Sequence, residues 1–170
     1  MTTAATKAPA NEPLAAWESR LQACLPLFGH RNWIVVADSA YPAQSKPGIE
    51  TIATGADQLQ VVATVFAAIA ACSHIRAKVY IDRELAFVSN SDAPGVADYR
   101  TELEKLLNGA TALQLPHEQI IYSLDQSAEV FRILILKTTL AIPYTSVFFE
   151  LDCGYWNAEA EARLRAAIPA

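Results

Sequence analysis

Two short runs in this chain are apolar without a break, Trp33-Ile-Val-Val-Ala37 and Ile133-Leu-Ile-Leu136. A strand with one face in water alternates apolar and polar residues, so a strand that does not alternate must be covered on both faces. His30-Arg-Asn32 and Asp38-Ser39 bound the first run with polar residues, which marks its ends. Between such runs lie segments of helical periodicity, and strands alternating with helices point to an α/β protein. The expected fold is a single three-layer α/β/α domain around a mixed, largely parallel sheet.

Residues 1–12 are small and polar and read as a flexible tail. From Pro13, residues Leu14, Trp17, Leu21, Cys24 and Leu25 recur at helical spacing, with Pro26 limiting the far end. The prolines of 41–48 suggest a loop before a short strand at Ile49–Ala53. Thr54-Gly-Ala-Asp57 has the form of a helix N-cap with an acid at its third position, opening a helix to about Ser73 that is apolar nearly all round. Lys78–Asp82 reads as a strand. Tyr99, Leu103, Leu106 and Leu107 share one helix face, which Asn108-Gly109 should end. Gln119–Leu124 reads as strand-like, with Asp125 capping a short helix. Pro143-Tyr144 makes a turn, and Ser146–Leu151 is a further strand. The domain extends over 13–156, and 157–170 forms a C-terminal surface helix packed on or beside it.

At 170 residues the chain suits one domain that needs no disulfide or metal staple. It is 52% apolar and only 18% charged, which suggests surface hidden against other subunits. With 13 Lys and Arg against 18 Asp and Glu, a net of −5, and no dense basic run, a grip on nucleic-acid backbones is not expected. The longest apolar stretch, Val61 to Cys72, is too short to span a bilayer, and no signal peptide opens the chain. Cys24, Cys72 and Cys153 adjoin apolar residues and read as buried free thiols. A cytoplasmic protein with no membrane contact is the expectation.

The six glycines are isolated, so no phosphate loop is present. The three histidines lack metal-ligand spacing, and no G-x-S-x-G elbow occurs. What remains is the polar pair that brackets the first buried run. Asp38 would lie at the carboxyl end of its strand, where ligand sites of α/β sheets gather, and His30 near the other end. Each also has an ordinary reading, His30 as a surface histidine and Asp38 as a turn cap. His74 and His117 read as a helix-end and a loop residue without a role.

The segment Phe28-Gly-His-Arg-Asn-Trp-Ile-Val-Val-Ala-Asp-Ser-Ala-Tyr-Pro-Ala-Gln-Ser45 resembles the N-terminal signature of the ribose pyranase / fucose mutarotase family. There a Gly-His pair opens a buried strand that ends in Asp, and Pro and a small polar loop follow. Lys137-Thr-Thr-Leu-Ala-Ile-Pro-Tyr-Thr-Ser-Val-Phe-Phe149 resembles that family's closing motif, in which a Tyr-x-Asn triplet leads into the last strand. The resemblance covers about residues 13–152.

It implies an RbsD-like fold and a cofactor-free isomerase that interconverts anomers or ring forms of a free monosaccharide, ribose- or fucose-like. It also implies a ring-shaped homo-oligomer, a decamer, with sites between neighbouring subunits. By this likeness His30 is the general acid/base, Asp38 binds a sugar hydroxyl or orients the imidazole, and Tyr144 hydrogen-bonds the sugar or assists proton transfer. The triplet's Asn is Ser146 here, a shorter group with a single donor. A His or Arg expected about two dozen residues before the tyrosine falls on Tyr122, with Gln126 one helical turn on. Two other readings stay open, a non-catalytic sugar-binding relative and a purely structural oligomer. Trp156 reads either as a sugar-stacking platform or as core or interface.

Overall fold

The computed structural model describes residues 15–107 and 112–169. The expected tail, Pro13, Leu14 and the Asn108-Gly109 stop lie outside the described residues. Among these, six strands form one sheet: β1 (Trp33–Ala37), β2 (Ile49–Ala53), β3 (Ile75–Asp82), β4 (Ala112–Leu115), β5 (Ile133–Lys137) and β6 (Val147–Cys153). Their order across the sheet is β2-β5-β1-β6-β3-β4. Strand β6 runs antiparallel to both its neighbours, and the remaining pairings are parallel.

Among the described residues five α-helices accompany the sheet: α1 (Ala16–Cys24), α2 (Gln58–Ala70), α3 (Val96–Leu106), α4 (His117–Ser127) and α5 (Ala158–Ala167). The central strands sort their alternate residues into two cores. Ile34 and Val36 of β1, Leu134 and Leu136 of β5, and Phe149 and Leu151 of β6 pack with α1, α2 and α3. Trp33, Val35, Ile133, Ile135 and Phe148 point the other way, onto Ile120, Leu124 and Ala128 of α4 and its end. This is the three-layer α/β/α arrangement, and it explains the unbroken apolar runs: both pleat faces are dry. Helix α5 buries none of its residues, and Trp156 before it is 42% exposed, its indole N–H donating to Glu161 (2.9 Å).

Several elements differ from the sequence reading. Helix α1 ends at Cys24, and Pro26 sits inside a 3-10 turn, Leu25–Leu27. Helix α2 is capped by Asp57, which accepts from the Gln60 N–H (3.2 Å), and not by Thr54. Thr54 is engaged elsewhere, its hydroxyl donating to the Lys137 carbonyl (2.9 Å). Strand β3 starts three residues earlier than expected, because Ile75 to Ala77 extend its pairing with β6. Cys24 is buried, whereas Cys72 and Cys153 are only partly so.

The main correction concerns Gln119–Leu124, which lies within α4, Asp125 included, and is not a strand. Its β-branched residues suit a strand, but Ile120 and Leu124, four apart, both reach the core while Tyr122 faces water, which only a helix allows. Strand β4, just before it, carries no strand signal in the sequence, because its middle residues, Leu113 and Gln114, are exposed at the sheet edge.

Phe149 is wholly buried at the sheet centre, its ring 6.4 Å from that of Phe66. Phe149→Ala should destabilise the protein by about 3–5 kcal/mol in urea unfolding. Tyr122→Ala, on the wet face of α4, should shift stability by less than about 0.5 kcal/mol.

Candidate functional site

Five strands run parallel, so their carboxyl ends share one edge of the sheet, and β6, running the other way, begins there. Four neighbouring strands deliver polar residues to that edge. Asp38 follows β1, Tyr144 and Ser146 precede β6, Asp82 ends β3, and His117 opens α4 just beyond β4. This is the place where open α/β sheets bind ligands. A cleft of about 510 Å³ opens here, lined by Asp38 to Pro42, Gln44, His117, Ile121 and Ala141 to Tyr144. Its volume suits a small organic molecule.

Asp38 is anchored by its own turn, one carboxylate oxygen accepting from the Ala40 N–H (2.8 Å). The other lies 3.5 Å from the hydroxyl of buried Ser146, at the outer limit of a hydrogen bond, and keeps acceptor capacity for a ligand. Tyr41 is buried behind the cleft. Burial, with the charges of Asp82 and Asp38, pushes its phenol up to about 12, so it stays protonated at neutral pH. The Gln44 amide donates weakly to it (3.4 Å).

His117 was expected in a loop without a role. It is the first residue of α4, and its backbone N–H donates to both carboxylate oxygens of Glu84 (3.2 and 3.0 Å). Its Nδ1 lies 3.1 Å from Asp82, which is 1% exposed. The ring meets that of Tyr144 edge-on, with centroids 5.6 Å apart. The sequence held a usable signal, since His117, Ile120, Ile121 and Leu124 lie on one helical face turned toward the sheet. Burial, opposed by His117 and reinforced by Glu84 and Asp38, raises the Asp82 carboxyl to about 6.

Tyr144 sits in the left-handed region (φ 58°), an unusual conformation for a bulky residue. The next residue is pinned in place from below. The Thr145 carbonyl accepts from the Tyr99 hydroxyl (2.7 Å) and from the amide of Gln58, the first residue of α2. Gln58 is wholly buried, and its amide oxygen accepts from the Thr138 hydroxyl (2.9 Å), which also reaches the Ala37 carbonyl. One buried polar network therefore ties α2, α3 and the end of β1 to the turn that carries Tyr144.

His30 lies at the other edge of the sheet. Its Nδ1 is 2.9 Å from Asp152 at the end of β6, and its Nε2 accepts from the Arg31 Nε–H (3.3 Å). Burial pushes the Asp152 carboxyl up, but hydrogen bonds from Arg76 and the Cys153 N–H, the charge of Lys78 and the His30 contact outweigh it and hold it near 2. Strand β1 alone spans about 16 Å, so His30 and Asp38 of one chain do not meet. Tyr122 and Gln126 lie on the exposed face of α4, outside the cleft. The structure thus brings Asp38, Tyr144 and Ser146 together, adds His117 and Asp82, and leaves His30, Tyr122 and Gln126 apart. Among the described residues no group of three or more His, Cys, Asp or Glu is placed to hold a metal ion, and no helix is long and apolar enough to cross a membrane.

Solved structures share this fold. RbsD of Bacillus subtilis, complexed with D-ribose, superposes with a TM-score of 0.58 at 17% identity, over 83% of this chain and 97% of that one. The fucose mutarotase of Streptococcus pneumoniae, in complex with L-fucose, gives 0.51 at 19% identity, over 78% and 91%. FucU of Bifidobacterium longum gives 0.52 at 13% identity, over 79% and 94%. No protein-family model and no curated protein matches the sequence. The chain has the RbsD/FucU-type fold.

Two outcomes follow from the site's supports. Gln58→Leu leaves the Thr138 hydroxyl only its bond to the Ala37 carbonyl and removes one of the donors to Thr145, and should cost about 1–3 kcal/mol in urea unfolding. Asp152 has a folded pKa below its unfolded value of about 3.9. Its contribution to stability is therefore present above pH ~4 and lost as pH falls toward 2. Asp152→Asn should flatten that acid limb in thermal melts taken between pH 5 and 2.

Proposed function

We propose that this chain is a cofactor-independent monosaccharide mutarotase or pyranase, acting on a free ribose- or fucose-like sugar. The observation that carries the reading is the carboxyl-edge cleft, where an imidazole, a phenol and a carboxylate converge on a space of about 510 Å³ without a lining Lys or Arg. Such a lining offers hydroxyl partners and no counter-charge for a phosphate or carboxylate, which suits a neutral sugar. The likeness of fold to proteins solved with D-ribose and L-fucose supports it.

Ring opening of a hemiacetal needs a proton taken from the anomeric hydroxyl and another delivered to the ring oxygen. The C1–ring oxygen bond then breaks to give the open aldehyde. Reclosure on the other face gives the second anomer, and reclosure by a different hydroxyl gives the other ring size. Imidazole serves such transfers because its ordinary pKa lies near neutrality. His117 is the proton carrier within the chain. Asp38 accepts a sugar hydroxyl through its lightly held oxygen, Ser146 steadies it, and the Tyr144 phenol donates to a sugar oxygen. Ile121 and Ile142 provide an apolar wall.

His30 takes part as the second acid/base only from a neighbouring copy, whose opposite sheet edge meets this cleft in a ring-shaped homo-oligomer, a decamer. Tyr122 and Gln126 have no part in the reaction. The reading places the protein in the cytoplasm, without metal, nucleic acid or membrane as partner. One observation favours a second reading, sugar binding without turnover: Ser146, where an amide would reach farther, is 2% exposed and turned to Asp38.

Saturation-transfer NMR on D-ribose and L-fucose separates the two. Turnover predicts anomer or ring-form exchange faster with protein than without. It also predicts a loss of about 100-fold or more in His117→Ala and a clear loss in Asp38→Asn and His30→Ala. Binding without exchange establishes the second reading. A protein that neither binds nor exchanges a sugar, or one that is monomeric in native mass measurement, removes the first.

A further inference from the structure

We propose that Asp82 is a positioning residue for His117: by accepting the Nδ1–H it holds the imidazole in one tautomer and presents Nε2, as a base, to the cleft. The Nδ1 contact is 3.1 Å, and the carboxylate that makes it is buried. Glu84, gripping the His117 backbone N–H through both oxygens, fixes the root of the side chain, so the ring cannot retreat along its helix. Nε2 makes no hydrogen bond to another described residue, while the ring lines the cleft beside Tyr144.

The second Asp82 oxygen is buried without a hydrogen-bond partner among the described residues. The groups around the pair are Glu84 beyond the end of β3, Asp38 at the end of β1, Tyr41 behind the cleft, Tyr144 on the turn before β6, and Glu118 on α4 itself. None of these is a cation; Arg100 and Glu104 share a second cavity with Asp82, where the Arg100 guanidinium donates to the Leu85, Ala86 and Val88 carbonyls. Among the described residues the hydrogen-bond partner of the Asp82 carboxylate is the imidazole Nδ1. The opposite neutral tautomer would turn a ring lone pair toward that carboxylate, so the Nδ1–H form is favoured whenever Asp82 is ionised. Burial raises the Asp82 carboxyl to about 6, so the carboxylate is ionised at pH 8.

The catalytic consequence rests on the mutarotase reading, but the tautomer does not, and the test separates them. Long-range nitrogen–proton spectra of histidine-labelled protein at pH 8 report which ring nitrogen carries the proton, the His117 signals being those lost in His117→Gln. The expected result is Nδ1–H in the native protein, and a shift of population toward Nε2–H in Asp82→Asn, whose amide can donate to Nδ1. An Nε2–H ring in the native protein, or an unchanged population in Asp82→Asn, overturns the proposal. Should that variant fail to fold, the native tautomer and its loss on titration from pH 8 to 5 decide the same question. In the exchange assay Asp82→Asn should lower kcat about 100-fold with KM within about twofold, and displace the acid limb of the pH profile. An unchanged kcat and profile overturns the positioning role. Absence of sugar exchange in the native protein removes the mutarotase reading and leaves the tautomer result standing.

Discussion

Everything at the cleft depends on one pairing, the insertion of antiparallel β6 between β1 and β3. A wholly parallel sheet would begin its last strand at the amino edge and leave its entry loop there. Here Val147 pairs with Val36 and Ile81, next to the carboxyl ends of β1 and β3, so the Tyr144 turn is laid beside Asp38 and Asp82. The turn is then held from inside the core. Gln58, Tyr99 and Thr138 satisfy one another and the Thr145 carbonyl, a closed polar network in an otherwise apolar layer. A left-handed tyrosine persists at such a place because its surroundings determine it from several sides.

The same edge carries the chain's main electrostatic burden. Asp82 is buried beside Asp38 and Glu84, and among the described residues its carboxylate has one hydrogen-bond partner, an imidazole. Removing a carboxylate from water is unfavourable unless its lone pairs find donors, and one of them does not. The contrast with Asp152 is direct. That carboxylate has Arg76, Lys78, His30 and a backbone N–H around it, and it stays firmly ionised. One carboxylate at each edge thus holds one histidine, the first poorly compensated and the second saturated.

Much of the architecture was legible in the sequence because its signals are local. Trp33–Ala37 and Ile133–Leu136 lack alternation, and the two cores packed on their opposite faces are the cause. Asp38 was legible as the polar end of the first run, whereas Tyr144 and Ser146 stood out only through the likeness of 137–149 to the family's closing motif. Helix α4 escaped because only two of its residues, Ile120 and Leu124, are buried, and β-branched neighbours imitate a strand. The loss spread to the site. Counting back from Tyr144 without a gap lands on Tyr122, on the wet face of α4, whereas His117, one residue past Pro116, is the group that faces inward. Its partner Asp82 is 35 residues away, and only the β3–β4 pairing brings the two together.

The separation of His30 from the cleft leaves only another copy to unite them. A group at the amino edge of one sheet can reach the carboxyl edge only of a second molecule, so the contact joins two unlike surfaces. Made one way round, such a contact does not saturate in a pair, because each added copy leaves one edge free. A linear stack of any length would keep one cleft without a visiting histidine and one histidine without a cleft. Only closure, by a two-fold exchange of both contacts or by a ring, makes every copy equivalent, and in an assembly of this kind the count of complete sites would be set by geometry rather than by affinity.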